Sequence, residues 1–90
     1  MPLPIWVTDP GLSEAEKARA LLNYRIRLAA LHVDCFGSIH ELSTRAGYAS
    51  AYLGNVIRRG VLPLRVELAI RQVVGADAFP TEKDLLARSL

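Results

Sequence analysis

The chain is short of most of what secreted, membrane and catalytic proteins need. Its one cysteine, Cys35, cannot form an internal disulfide, which excludes a disulfide-stapled scaffold and fits a reducing compartment. No apolar run approaches the roughly 18 residues that a membrane-spanning helix requires. Met1 to Val7 is apolar, but it is broken by prolines and has no basic start, so it does not read as a signal peptide and the expected location is the cytoplasm. The only two histidines, His32 and His40, are eight residues apart with the lone cysteine Cys35 between them, which matches no metal-site spacing. His32 reads as a helix-end residue and His40 as a first-turn residue. A Cys35–His pairing has no supporting acid, nucleophile elbow or oxyanion loop, and Gly54 and Gly60 are too isolated to cradle a phosphate. The expectation is no enzyme, no metal and no cofactor.

What is present describes one folded domain. Ninety residues, 51% apolar and 22% charged, suit a globular chain that buries about two-thirds of its unfolded surface, a size at which dimerisation adds useful stability. The net charge is only +2, yet it is unevenly spread. Nine Lys and Arg stand against three acids between Lys17 and Arg71, whereas the first sixteen residues hold three acids and no base. A basic middle with acidic ends suits a phosphate-facing surface, although Lys17, Arg19 and Arg71 also read as ordinary solvated helix residues.

Residues 1–12, with three prolines and a glycine, read as an extended N-terminal arm. Its Ile5, Trp6 and Val7 either cover the domain's own core, the favoured reading, or pack on a second subunit. The domain proper is 13–90. Ser13 and Glu16 form a capping box that opens a helix running to about His32 or Val33, with Leu21, Leu22, Leu28, Ala29 and the stem of Arg25 on one face and Tyr24, Ile26 and Leu31 widening it. Val33 to Gly37 connects, with Cys35 and Phe36 pointing into the core. Beyond residue 60, Pro63 opens a helix to about Val74 that buries Val66, Ala69, Ile70 and Val73 and is stopped by Gly75. Thr81 and Asp84 make a third capping box for a short last helix through Ser89, whose Leu85, Leu86 and Leu90 suggest a dimer contact.

The stretch 39–60 organises the rest. Ser38 and Glu41 form a capping box, Ile39, Leu42 and Ala46 give an apolar face, small Ser43 admits a neighbouring helix, and Gly47 ends the helix in a left-handed turn. Tyr48 packs back into the gap and Ser50 is placed to cap a second helix. That helix turns Leu53, Val56 and Ile57 inward, leaves Ser50, Ala51, Asn55, Arg58 and Arg59 outward, and is closed by Gly60. This is the arrangement of a helix-turn-helix, which lays its second helix in the major groove of DNA.

The order Leu42, Ser43, Ala46, Gly47, Tyr48, Leu53, Val56 resembles the helix-turn-helix of the lambda-repressor and Cro superfamily. Gly47-Tyr48-Ala49 followed by Leu53, Asn55 and an arginine is most similar to the Ner-type regulators of Mu-like phages, and Pro63, Gly75, Phe79 and Pro80 are similar to the segment that follows in that family. The resemblance covers roughly Ser38 to Leu85. Ile39 and Ser50 stand where many relatives carry glutamine. The resemblance implies an all-α, five-helix lambda-repressor-like domain and a phage or prophage transcriptional regulator, with repression the expected effect.

The expected partner is therefore double-stranded DNA, bound by a homodimer that meets through the arm or the last helix. Ser50, Ala51, Tyr52, Asn55 and Arg58 are the candidate base contacts. Asn55 can pair bidentately with adenine or bond a phosphate, Ala51 can touch a thymine methyl, and Arg58 can read guanine. Tyr52 is equally readable as a ring packed against the first helix or the backbone. His40, Thr44, Arg45 and Arg59 are the candidate phosphate contacts. The alternative is a helical adaptor, such as an antitoxin, that uses the apolar termini to bind another protein.

Overall fold

The computed structural model describes residues 11–33 and 37–88. Among them are five helices and no strand: α1 (Glu14–Ala30), α2 (Ile39–Arg45), α3 (Tyr52–Arg59), α4 (Leu64–Val74) and α5 (Glu82–Arg88). The all-helical class expected from the sequence is what the described residues form. The arm's Ile5, Trp6 and Val7, the inward placement of Cys35 and Phe36, and the contact assigned to Leu86 and Leu90 concern positions outside the described residues and side chains.

Local chemistry sets most boundaries. Ser13 accepts the Glu16 amide at 3.1 Å, Ser38 accepts the Glu41 amide at 3.1 Å, and Thr81 accepts the Asp84 amide at 3.1 Å, so each cap stabilises its first turn by about 1 kcal/mol. The Glu41 carboxylate lies against Arg45 one turn ahead at 2.9 Å. Helix α1 stops at Ala30, two to three residues before its expected end. Leu31 to Val33 then form a tighter turn in which the His32 and Val33 amides donate three residues back. Gly60, at φ 74°, ends α3 in the left-handed region, and a Cβ there would stand 2.9 Å from Arg19 Cγ.

The core is one cluster to which four helices contribute: Leu22, Ile26, Ala29 and Ala30 of α1, Leu42 of α2, Leu53 and Val56 of α3, and Val66 and Ile70 of α4, closed by Phe79. The apolar faces read from the sequence are buried at their centres, but Leu28, Ile39, Ala46, Ile57, Ala69 and Val73 are only half-buried and Leu31 is left 53% exposed. Leu85 is fully enclosed within the chain, packed on Leu21 and Tyr24, so the last helix spends that leucine on α1 rather than on a partner. The large exposed apolar side chains among the described residues are Leu31 together with Val61, Leu64 and Leu68 on and just before α4.

Arg25 is the unexpected core residue. Its stem was expected on the α1 face, but the whole side chain is enclosed: Nε donates to the Pro80 carbonyl at 3.0 Å, Nη2 donates to Glu67 Oε1 at 3.1 Å, and the guanidinium lies 4.7 Å from the centre of the Phe79 ring. Arg71 meets the same Glu67 oxygen at 3.2 Å. A charge this far from water is tolerable only when paired and hydrogen-bonded, and here it is both. The group therefore ties α1, α4 and the turn before α5 into one unit.

Candidate nucleic-acid interface

Helix α2 packs on α3, and both pack on α1, so the relation between the first two is fixed from behind. Two side chains set the turn between them. Ser43, fully buried, donates its hydroxyl to the Ala49 carbonyl, and Tyr48 stacks on Tyr52 with centroids 4.4 Å apart and planes 13° from parallel. A larger residue than serine at 43 would push α3 off α2, which is the physical content of the small residue expected there.

The turn runs longer than expected. The Tyr52 amide donates to the Ala49 carbonyl at 3.0 Å, enclosing Ser50 and Ala51, and the α-helical ladder begins only with the Asn55 amide on the Ala51 carbonyl at 3.2 Å. Ala51, not Ser50, is therefore the N-cap of α3, and no side chain closes its first turn. Ser50 therefore sits one residue too early to cap, inside the turn that the Tyr52 amide closes on the Ala49 carbonyl.

With Leu53 and Val56 buried, the outer face of α3 carries Asn55, Arg58 and Arg59, all exposed, and Ser50 and Ala51 lie exposed at its leading end. Asn55 and Arg58 are joined: Arg58 Nη2 donates to Asn55 Oδ1. Arg59 has no hydrogen-bonding partner or counter-ion among the described residues. Tyr52 is half-buried against the core and stacked on Tyr48, so its ring serves packing. The nearby Tyr52 phenol, and after it that of Tyr48, raises the pKa of the Arg65 guanidinium above its ordinary value.

The expected phosphate contacts are dispersed over α2 and the end of α3. His40 is exposed in the first turn of α2 and lines a shallow cleft of about 480 Å³ with Arg27, Gly37, Ser38, Ile39 and Gly54. Thr44, also exposed, returns its hydroxyl to the Glu41 carbonyl at 2.9 Å, and Arg45 is engaged by the Glu41 carboxylate. That ion pair is 62% and 43% exposed on its two sides, so water screens it and it holds Arg45 weakly.

Two arginines outside the expected set join this surface. Arg65, exposed at the start of α4, lies near enough to Tyr52 to feel its phenol, and Arg27 of α1 borders the His40 cleft. Only their place in a basic stretch hinted at either, since both approaches depend on helix packing. Among the described residues no group of three His, Cys, Asp or Glu side chains converges as a metal ion would require, and no helix is long and apolar enough to cross a membrane. Comparison of the chain with protein-family models, curated proteins and solved structures finds no match to any of the three.

Proposed function

We propose that α2 and α3 form a helix-turn-helix within a lambda-repressor-like domain, and that the protein is a sequence-specific regulator that reads double-stranded DNA with α3. The observation that carries this reading is the outer face of α3. It presents Asn55, Arg58 and Arg59 with no acid among them, while Leu53 and Val56 anchor the opposite face in the core. A helix fixed from behind and cationic in front suits the major groove, where guanidinium and amide groups meet base edges and phosphates.

In this reading Ser50 and Ala51, small and exposed, allow the start of α3 to approach the bases closely. Arg59 and Arg65 contact phosphates on either side, and His40 and Arg45 extend the contact along α2. Tyr52, stacked on Tyr48 and packed on the core, supports α3 rather than touching a base. Homodimerisation and repression belong to the proposal through the family resemblance, and a two-fold dimer calls for an inverted repeat with half-sites about one helical turn apart.

The test is selection of binding sites from random duplex DNA with the purified protein, followed by titration of the enriched site at several salt concentrations. An enriched palindrome with a steep salt slope supports a dimeric regulator. A single asymmetric half-site removes the dimer but keeps the DNA reading. Weak binding to every sequence without enrichment refutes the regulator and favours a protein-binding adaptor. For that second reading Val61, Leu64 and Leu68, at 69%, 67% and 50% exposure, are the apolar side chains open to a partner.

A further inference from the structure

The Asn55–Arg58 hydrogen bond changes what α3 can read, an inference that rests on the DNA-binding proposal. An asparagine on a recognition helix ordinarily selects adenine by accepting from N6 and donating to N7, which needs its carbonyl oxygen. Here Arg58 lies one turn ahead and donates to that oxygen, occupying one of its two lone pairs and setting a cation where the adenine amino group would have to approach. The orientation of the amide is fixed by chemistry, because a guanidinium has only donors and the atom facing it must be Oδ1. What the pair turns outward is then the Asn55 NH2 group and the remaining guanidinium N–H groups.

We infer that Asn55 and Arg58 act as one donor-rich unit that selects guanine, with its adjacent O6 and N7 acceptors, and disfavours adenine. Adenine offers an acceptor at N7 but a donor at N6, and cytosine offers the N4 donor; either amino group would face a cation and an amide NH2. Guanine is the base whose major-groove edge presents two acceptors and no donor. Asn55 is in this scheme a positioning residue: it holds a long, rotamer-rich arginine in one geometry before DNA arrives, which reduces the ordering that binding requires.

The proposal makes unlike demands on the two substitutions. Arg58→Ala frees Oδ1, so the preference at that base pair should shift from guanine toward adenine, with guanine losing roughly tenfold to a hundredfold in relative affinity. Asn55→Ala leaves Arg58 charged but unaligned, so guanine should still be favoured, by less. Both side chains are exposed and neither fills the core, so thermal melting by circular dichroism should show both variants folded.

The experiment is site selection with the wild type, Arg58→Ala, Asn55→Ala and the double variant, followed by titration of duplexes carrying each of the four base pairs at the enriched position. Guanine in the wild type, a shift toward adenine in Arg58→Ala, and non-additive losses in the double variant support the donor unit. Adenine in the wild type, lost on Asn55→Ala and indifferent to Arg58→Ala, overturns it while leaving sequence-specific DNA binding intact. Additive effects at two separate base pairs also overturn it, since the residues would then read independently. Absence of any enriched sequence in the wild type overturns the DNA-binding proposal itself, and the donor unit with it.

Discussion

Replacing Glu67 by alanine removes the carboxylate that balances an enclosed guanidinium. Glu67 Oε1 receives Arg25 Nη2 at 3.1 Å and Arg71 Nη2 at 3.2 Å, with the Arg25 side chain 8% exposed, Glu67 19% and Arg71 25%. Arg71 can turn to solvent, so its half of the arrangement contributes little. Arg25 cannot, because its Nε is bound to the Pro80 carbonyl and its plane lies over Phe79. Stranding one partner of a fully buried ion pair costs about 3–5 kcal/mol, and the one-fifth exposure of Glu67 reduces this to about 2–3 kcal/mol. Alanine returns only a few tenths in helix propensity. A domain of this size has a total stability of about 5–13 kcal/mol, and each kcal/mol moves its melting temperature by about 4–8 °C, so Tm should fall by on the order of 10–20 °C. The assay is urea unfolding followed by circular dichroism, with Glu41→Ala as the control. Glu41 pairs with Arg45 in the open, and its loss should cost under about 1 kcal/mol. Should Glu67→Ala unfold within about 0.5 kcal/mol of that control, the argument that Arg25 depends on its counter-ion is wrong.

Three further outcomes are expected. Ser43→Ala removes the hydroxyl that holds Ala49 and should cost about 1 kcal/mol in urea unfolding, with a larger proportional loss of DNA binding than of stability. Gly60→Ala should destabilise more than Gly47→Ala: both have positive φ, at 74° and 92°, but only at Gly60 does the new Cβ meet a neighbour, Arg19 Cγ at 2.9 Å, whereas Gly47 has open space. Equal melting temperatures for the two glycine variants would contradict this. Glu41→Gln releases Arg45 from its ion pair, so binding to non-specific DNA should tighten and the salt slope steepen by up to about one unit; an unchanged slope would place Arg45 away from the phosphates.

The helix ends were legible because their causes lie within a few residues. Ser13, Ser38 and Thr81 cap as their spacing predicted, and Gly47, Gly60 and Gly75 stand where their helices stop. Ser50 failed as a cap because a tight turn over Ser50 and Ala51, closed by the Tyr52 amide on the Ala49 carbonyl, delays the helix by one residue. The outward set on α3 was equally legible, since burial of Leu53 and Val56 dictates which residues face away. Their state was not: Asn55 was read as a free amide, although the three-residue spacing to Arg58 is one at which helical side chains meet. Arg25 and Leu85 were misjudged because their partners lie far along the chain, Pro80 from Arg25 and Leu21 from Leu85. No periodicity reports a contact of that range.

The bond from Arg25 to the Pro80 carbonyl spans 55 positions of sequence. During synthesis α1 emerges with its guanidinium long before the ring and carbonyl that will receive it. At roughly 5–20 residues per second the ribosome needs about 3–11 s to add that much chain. Through this interval Arg25 must stay in water, and the face of α1 that carries it cannot close. The enclosure of Arg25, and with it the finished domain, has to wait for the segment around Pro80.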